Sequence, residues 1–180
     1  PHVTRLATRL SLVLATVSDT IAKNRNLECA DLLASVSSYE SSLGGAVLME
    51  QSSVFYYKAG MFRKYAFHML MSGHLFQKTG QDHHAFRCFA SAMYIYRNGM
   101  WDILHNHLKS AMAAQLYTMG RMSVALILYA KLIGATSGGK VSLQSQQKFI
   151  QHLIEICEDH TKGALAGADR MAIPRGIPRI

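Results

Sequence analysis

Met69-Leu70-Met71-Ser72-Gly73-His74-Leu75-Phe76-Gln77-Lys78-Thr79-Gly80-Gln81-Asp82-His83-His84-Ala85-Phe86-Arg87-Cys88-Phe89-Ala90-Ser91-Ala92 is the stretch whose reading decides the fold. On both sides of Thr79-Gly80-Gln81 the apolar residues recur at three and four, the spacing of helices rather than strands. Glycine accepts φ > 0 without steric cost and commonly sits just past a helix end, so Gly80 marks a turn. Gly73 and Phe76 in the first helix, and Ala85, Phe89 and Ala92 in the second, alternate small and large. The small residues let the helices approach, and the aromatics fill the groove between them.

The same punctuation recurs outward. Ala59-Gly60-Met61, Asn98-Gly99-Met100 and Met119-Gly120-Arg121 place turns roughly every twenty residues. An even ladder of helix, glycine, helix is the sequence form of stacked helical hairpins, and the small/aromatic frame of residues 69–92 is that of a tetratricopeptide unit. Ala113, Leu116, Ala125 and Tyr129 echo it, followed by an oversized Leu132. Arg97 stands where the closing proline of such a unit would be. The expected fold is therefore all-α, an α-solenoid of tetratricopeptide-like antiparallel helix pairs over residues 1–160. An ordinary helical bundle is the competing architecture.

Eight helices are expected. The first covers about 4–23, with Leu6, Leu10, Val13, Val17 and Ile21 on one stripe. A short second covers about 27–37, and Ser41 and Ser42 cap a third that carries Ala46, Met49, Ser53 and Tyr56. The fourth carries Phe62, Tyr65, Met69, Gly73 and Phe76, the fifth Ala85, Phe89, Ala92 and Tyr96, the sixth Trp101, Leu104, Leu108, Met112, Leu116 and Met119. The seventh, about 121–133, is apolar nearly all round, which calls for neighbours on two sides. The eighth, about 142–160, shows one stripe through Gln146, Ile150, Leu153 and Cys157. Residues 161–180, with Ile-Pro-Arg twice, are expected to form an extended or disordered basic tail, because each proline removes a donor and restricts its predecessor.

Composition agrees with an ordered chain: 49% of residues are apolar and 17% charged. The formal charge of +8 is spread singly, with no run of five like charges, so it describes solvated faces rather than a nucleic-acid stripe. Three dispersed cysteines, Cys29, Cys88 and Cys157, suit reduced cytosolic thiols in helix cores. The chain begins at Pro1 and reads as a piece of a longer, or a processed, polypeptide.

Sharper chemistry is hinted at twice. Gly134-Ala135-Thr136-Ser137-Gly138-Gly139-Lys140 nearly spells a phosphate loop, but Val141 lacks the hydroxyl that would hold magnesium and no strand precedes it. His84 and Cys88 lie four apart, with His105 and His107 downstream, yet no second pair completes a metal site. No catalytic residue, cofactor or metal is expected, and the chain is read as a non-enzyme.

Several unusual strings in the right order carry a resemblance. Ala46-Val47-Leu48-Met49-Glu50-Gln51, Arg63-Lys64-Tyr65-Ala66-Phe67-His68-Met69, Gly73-His74-Leu75-Phe76, His84-Ala85-Phe86-Arg87-Cys88-Phe89 and the Tyr96…Gly99…Trp101 turn resemble the middle of the large, TRAPPIII-defining subunit of the TRAPP tethering complexes. The resemblance is dense over 46–133 and fades after 134. It implies a solenoid segment in a scaffold subunit of a complex that promotes nucleotide exchange on a Rab GTPase. The implied setting is ER-to-Golgi traffic and autophagy, with the complex cytoplasmic and peripheral on Golgi and pre-autophagosomal membranes. Other TRAPP subunits are the implied partners. The Rab is reached only through the assembled complex, and the membrane by peripheral contact. Arg63, Lys64, Arg87, Arg97 and Trp101 are the expected partner contacts. No nucleic acid is expected. The alternative function is an RNA-binding helical-repeat module, with Tyr39, Tyr94, Tyr96 and Trp101 stacking on bases.

Overall fold

Gly60, Gly80 and Gly120 adopt φ of 74°, 71° and 74°, and each closes the same turn. In the first, the Gly60 amide donates to the Tyr57 carbonyl at 2.9 Å and the Met61 amide to the Tyr56 carbonyl at 2.9 Å. Gly80 and Gln81 repeat this on Gln77 and Phe76, and Gly120 and Arg121 on Tyr117 and Leu116. Two otherwise orphaned carbonyls per helix end are thereby satisfied, the reason a left-handed glycine is required there. The residue after each glycine also opens the next helix, its carbonyl accepting from Tyr65, Ala85 or Ala125. Three identical links make three equivalent reversals.

The computed structural model describes residues 9–10, 13–14, 16–18, 25–40, 43–97, 101–136 and 142–170, with side chains as far as 134 and 162 in the last two blocks. Among the described residues there are seven helices and no strand: α1 Asn26–Ser37, α2 Leu43–Lys58, α3 Phe62–Lys78, α4 Asp82–Tyr96, α5 Asp102–Thr118, α6 Met122–Thr136 and α7 Leu143–Arg170. Helical backbone also precedes them at 9–10, 13–14 and 16–18, and Val17 is buried. The expected caps Ser41 and Ser42, the Asn98-Gly99-Met100 turn, the segment 137–141 of the glycine loop and most of the first helix lie outside the described residues.

Among the described residues, strong packing runs only between consecutive helices, from α1 on α2 to α6 on α7. The core is correspondingly a relay of three clusters. Val17, Cys29, Leu33 and Tyr56 form one, Met69, Phe76, Phe89 and Leu108 the next, Leu116, Tyr129, Leu132 and Ile156 the last. This is an all-α solenoid, in which each helix hides its apolar surface on its neighbours. Gly73 packs against the buried ring of Phe89. Phe76, Ala85, Ala92, Ala113, Leu116, Ala125 and Tyr129 are all buried at the seams.

Small polar side chains tie the same seams. Ser52 of α2 donates to the Ala30 carbonyl of α1 at 2.7 Å, and Ser72 of α3 donates to the Ala46 carbonyl of α2 at 2.8 Å. Both serines are fully buried, so each hydroxyl needs this acceptor. The three-and-four stripes read from the sequence run through Ser53 and Gly73, the chain neighbours of these two serines.

Three expectations change. In α7 the buried residues are Phe149 and Ile156, with Leu153 partly buried, while Ile150 and Cys157 are exposed. Both stripes contain Leu153 at helical spacing, and the larger ring of Phe149 gains more from leaving water. Second, α7 continues to Arg170, past the boundary placed at residue 160. Ala164, Leu165, Ala166 and Ala168 are good helix formers, and no proline falls between residue 143 and Pro174. Residues 171–180 lie outside the described ones. Third, α6 is not enclosed all round: Val124 and Ile127 remain about half exposed. Gly134-Ala135-Thr136 forms its last turn.

Candidate functional site

Exposed aromatic side chains gather where the end of α2, the start of α3 and the end of α4 meet. Tyr57, Phe62, Tyr65, Ser91, Tyr94 and Ile95 line an open groove of about 570 Å³. Tyr57 sits edge-on to Phe62 at 5.4 Å and to Tyr65 at 5.3 Å between ring centres. Tyr57 is 54% exposed, Phe62 49% and Tyr94 72%, a large amount of ring surface left in water. The glycine link at Gly60 creates this cluster by folding α3 back so that Phe62 and Tyr65 return beside Tyr57.

One cation lies over a ring of the groove and others over neighbouring rings. The Arg97 guanidinium lies 5.5 Å over Tyr94, and the Lys58 ammonium lies 5.1 Å over Phe55. Arg63 lies 6.0 Å over the Trp101 ring, and Tyr96 links the two sides. Its hydroxyl donates to the Arg63 carbonyl at 3.3 Å while its ring lies 5.8 Å from Trp101. Burial pushes the Tyr96 hydroxyl above its ordinary pKa, against the opposing pull of Arg63. Arg63, distant in sequence from Arg97 and Trp101, thus comes to the same edge of the stack as they do.

Lys64 and Arg87 stand apart from it. Arg87 pairs with Glu50 at 2.7 Å, bridging α4 to α2. Lys64 lies 3.9 Å from Asp31 and 5.0 Å over the Tyr56 ring, whose hydroxyl donates to Asp31 at 2.5 Å. Burial and the Asp31 carboxylate both raise the Tyr56 pKa well above its usual range. These charges are engaged inside the chain.

The base-stacking set divides as well. Tyr96 is 6% exposed and hydrogen-bonded, so its face is not available, and Tyr39 lies in the turn between α1 and α2. His84 stacks on Phe76 at 5.2 Å, and Cys88 is buried against Ser72. Burial, reinforced by Glu50, pushes the Cys88 thiol up to about 11. Among the described residues no group of three histidine, cysteine or acidic side chains is placed to hold a metal ion, and no helix is long and apolar enough to cross a membrane.

A second, more polar groove of about 440 Å³ opens between α5 and α7, lined by Ile103, His107, Lys148, Phe149 and His152 among others. At its side the Nε2 atoms of His74 and His107 meet at 3.0 Å. One ring must donate and the other accept, so doubly charging this pair is unfavourable. Tyr117 of α5 also donates to Asp159 of α7, joining the two helices beyond the groove.

No protein-family model matches the chain. Human trafficking protein particle complex subunit 8 is 32% identical to it over 137 residues, 75% of this chain and 9% of that protein. The chain is a relative of this large TRAPP subunit, and it spans less than a tenth of the relative's length.

Proposed function

We propose that this chain, as kin to the eighth TRAPP subunit, is a non-catalytic scaffold segment of a TRAPP-type vesicle-tethering and Rab nucleotide-exchange complex. In this reading it acts in ER-to-Golgi traffic and autophagy, peripheral on Golgi and pre-autophagosomal membranes. It meets the Rab only through the assembled complex. The sequence relationship carries the proposal. The stack's architecture supports it, since a solenoid offers long faces to partners, and the last helix leaves Leu143, Ile150 and Ile154 exposed. Arg63, Arg97 and Trp101 are the partner contacts assigned to it, with Lys64 and Arg87 held by Asp31 and Glu50.

The test is co-purification. The tagged chain expressed in human cells is expected to retain other TRAPP subunits through stringent washing, and recovery of none of them would overturn the reading. RNA affinity that falls steeply with salt and differs among sequences would favour the helical-repeat RNA reader instead.

A further inference from the structure

We infer that the groove between α2, α3 and α4 is a docking site for an acidic peptide segment that carries large apolar side chains between its carboxylates. The inference rests on the scaffold reading and names the chemistry of one partner. Its floor is aromatic, with Tyr57 and Phe62 about half exposed, Tyr94 largely exposed and Tyr65 partly buried, and the aliphatic Ile95 also lines it. Tyrosine gives large contact area at little rotamer cost, and aromatic residues with arginine dominate the energetic centres of interfaces.

Charge decides the partner. Arg97 lies over the Tyr94 ring, Lys58 and Arg63 directly follow the lining residues Tyr57 and Phe62 in the chain, and among the described residues no carboxylate pairs with any of the three. Elsewhere on the same helices the cations Lys64 and Arg87 do have carboxylates, Asp31 and Glu50. The groove's surroundings therefore present positive charge that the described residues leave without a carboxylate partner, Arg97 lying over the face of a groove ring. An acidic peptide supplies both the missing carboxylates and the apolar side chains for the floor. An anionic membrane fits less well. Polybasic lipid contacts use clusters of about four to eight cations on a face, and the rings here line a concave groove rather than project from a ridge.

Trp101 is the chain's single tryptophan and lies at this edge against Arg63 and Tyr96, so its emission reports occupancy. The probe is a synthetic peptide that alternates glutamate with leucine and phenylalanine, added to the whole chain. Saturable change in Trp101 emission is expected, with about tenfold weaker binding for the glutamine counterpart of the peptide. Tyr94→Ala should weaken binding about tenfold, and Arg97→Gln and Lys58→Gln each several-fold. Tyr94 is largely exposed, so an unchanged melting curve is expected alongside the lost affinity.

Equal affinity for the glutamine peptide, or indifference to Tyr94→Ala, would overturn the inference. So would a Trp101 response to phosphatidylserine vesicles with none to the peptide, which would assign the edge to a lipid surface. Capture of TRAPP subunits separates this from the scaffold reading. If capture persists while the acidic peptide fails to bind, only the docking inference falls. If the unsubstituted chain captures none, the scaffold reading falls.

Discussion

The α-carbon of Gly73 lies directly on the ring of Phe89: a β-carbon placed on it would come within 2.5 Å of Cε1 and 2.7 Å of Cδ1. Phe89 is fully buried, so its ring has nowhere to retreat. The contact sets the spacing of α3 and α4 and hence the position of the groove floor, which both helices supply.

Gly73→Ala is therefore expected to destabilise. Overpacking costs about 1–3 kcal/mol, against a gain of about 1 kcal/mol from alanine's better helix propensity. Gly134 gives the internal comparison, because a β-carbon there meets nothing within 4 Å. Thermal unfolding should show a lower midpoint for Gly73→Ala and an unchanged or higher one for Gly134→Ala. The reverse order would contradict the packing described.

Gly80→Ala should lower the melting temperature, since an alanine at φ of 71° costs about 1–2 kcal/mol. Gly80→Asn should cost less, because asparagine tolerates the left-handed region. No side chain crowds Gly80, so equal losses for the two would show that conformation is not what selects glycine there.

Stability should decline as pH falls below about 6.5. Burial lowers the pKa of His68, His105 and His107 from the ordinary 6.5, with Lys109 adding to the effect at His105 and His74 at His107. The backbone bond to Lys64 and the charge of Asp31 oppose the shift at His68, as Asp102 does at His105, and burial outweighs them. A lowered histidine pKa means the unfolded chain takes up protons first. The stabilisation is whole above 6.5 and is lost downward until the folded-state values are passed. Urea titrations at several pH values measure the slope, and His107→Gln should flatten it. A stability that rises on acidification would refute the assignment.

Alkylation should separate the cysteines. Cys88 is fully buried with its thiol pKa raised to about 11, Cys29 is fully buried, and Cys157 is exposed on α7. Brief iodoacetamide treatment of the native chain, read by peptide mass spectrometry, should modify Cys157 well before the others. Denaturation should bring all three to similar reactivity.

Local chemistry made much of this architecture readable from residues alone. Glycine at 60, 80 and 120 terminates helices because it accepts the required backbone without steric cost, and three-and-four spacing needs no knowledge of neighbours. The seam frame of Gly73, Phe76, Ala85, Phe89 and Ala92 is legible for the same reason, since a helical hairpin brings those positions together within one short link. Kinship with the TRAPP subunit likewise rests on short local strings.

Tertiary packing decided the rest. Phe149 rather than Ile150 faces the core because a ring buries more area, a choice that exists only once α5 and α6 are in place. Arg87 and Arg63 look equivalent in the sequence, yet Glu50, thirty-seven residues from Arg87, engages one charge and leaves the other over Trp101. The aromatic groove joins Tyr57 to Tyr94 across two reversals of the chain. Such pairings depend on where whole helices come to rest, and helical periodicity orders only neighbours within a turn or two.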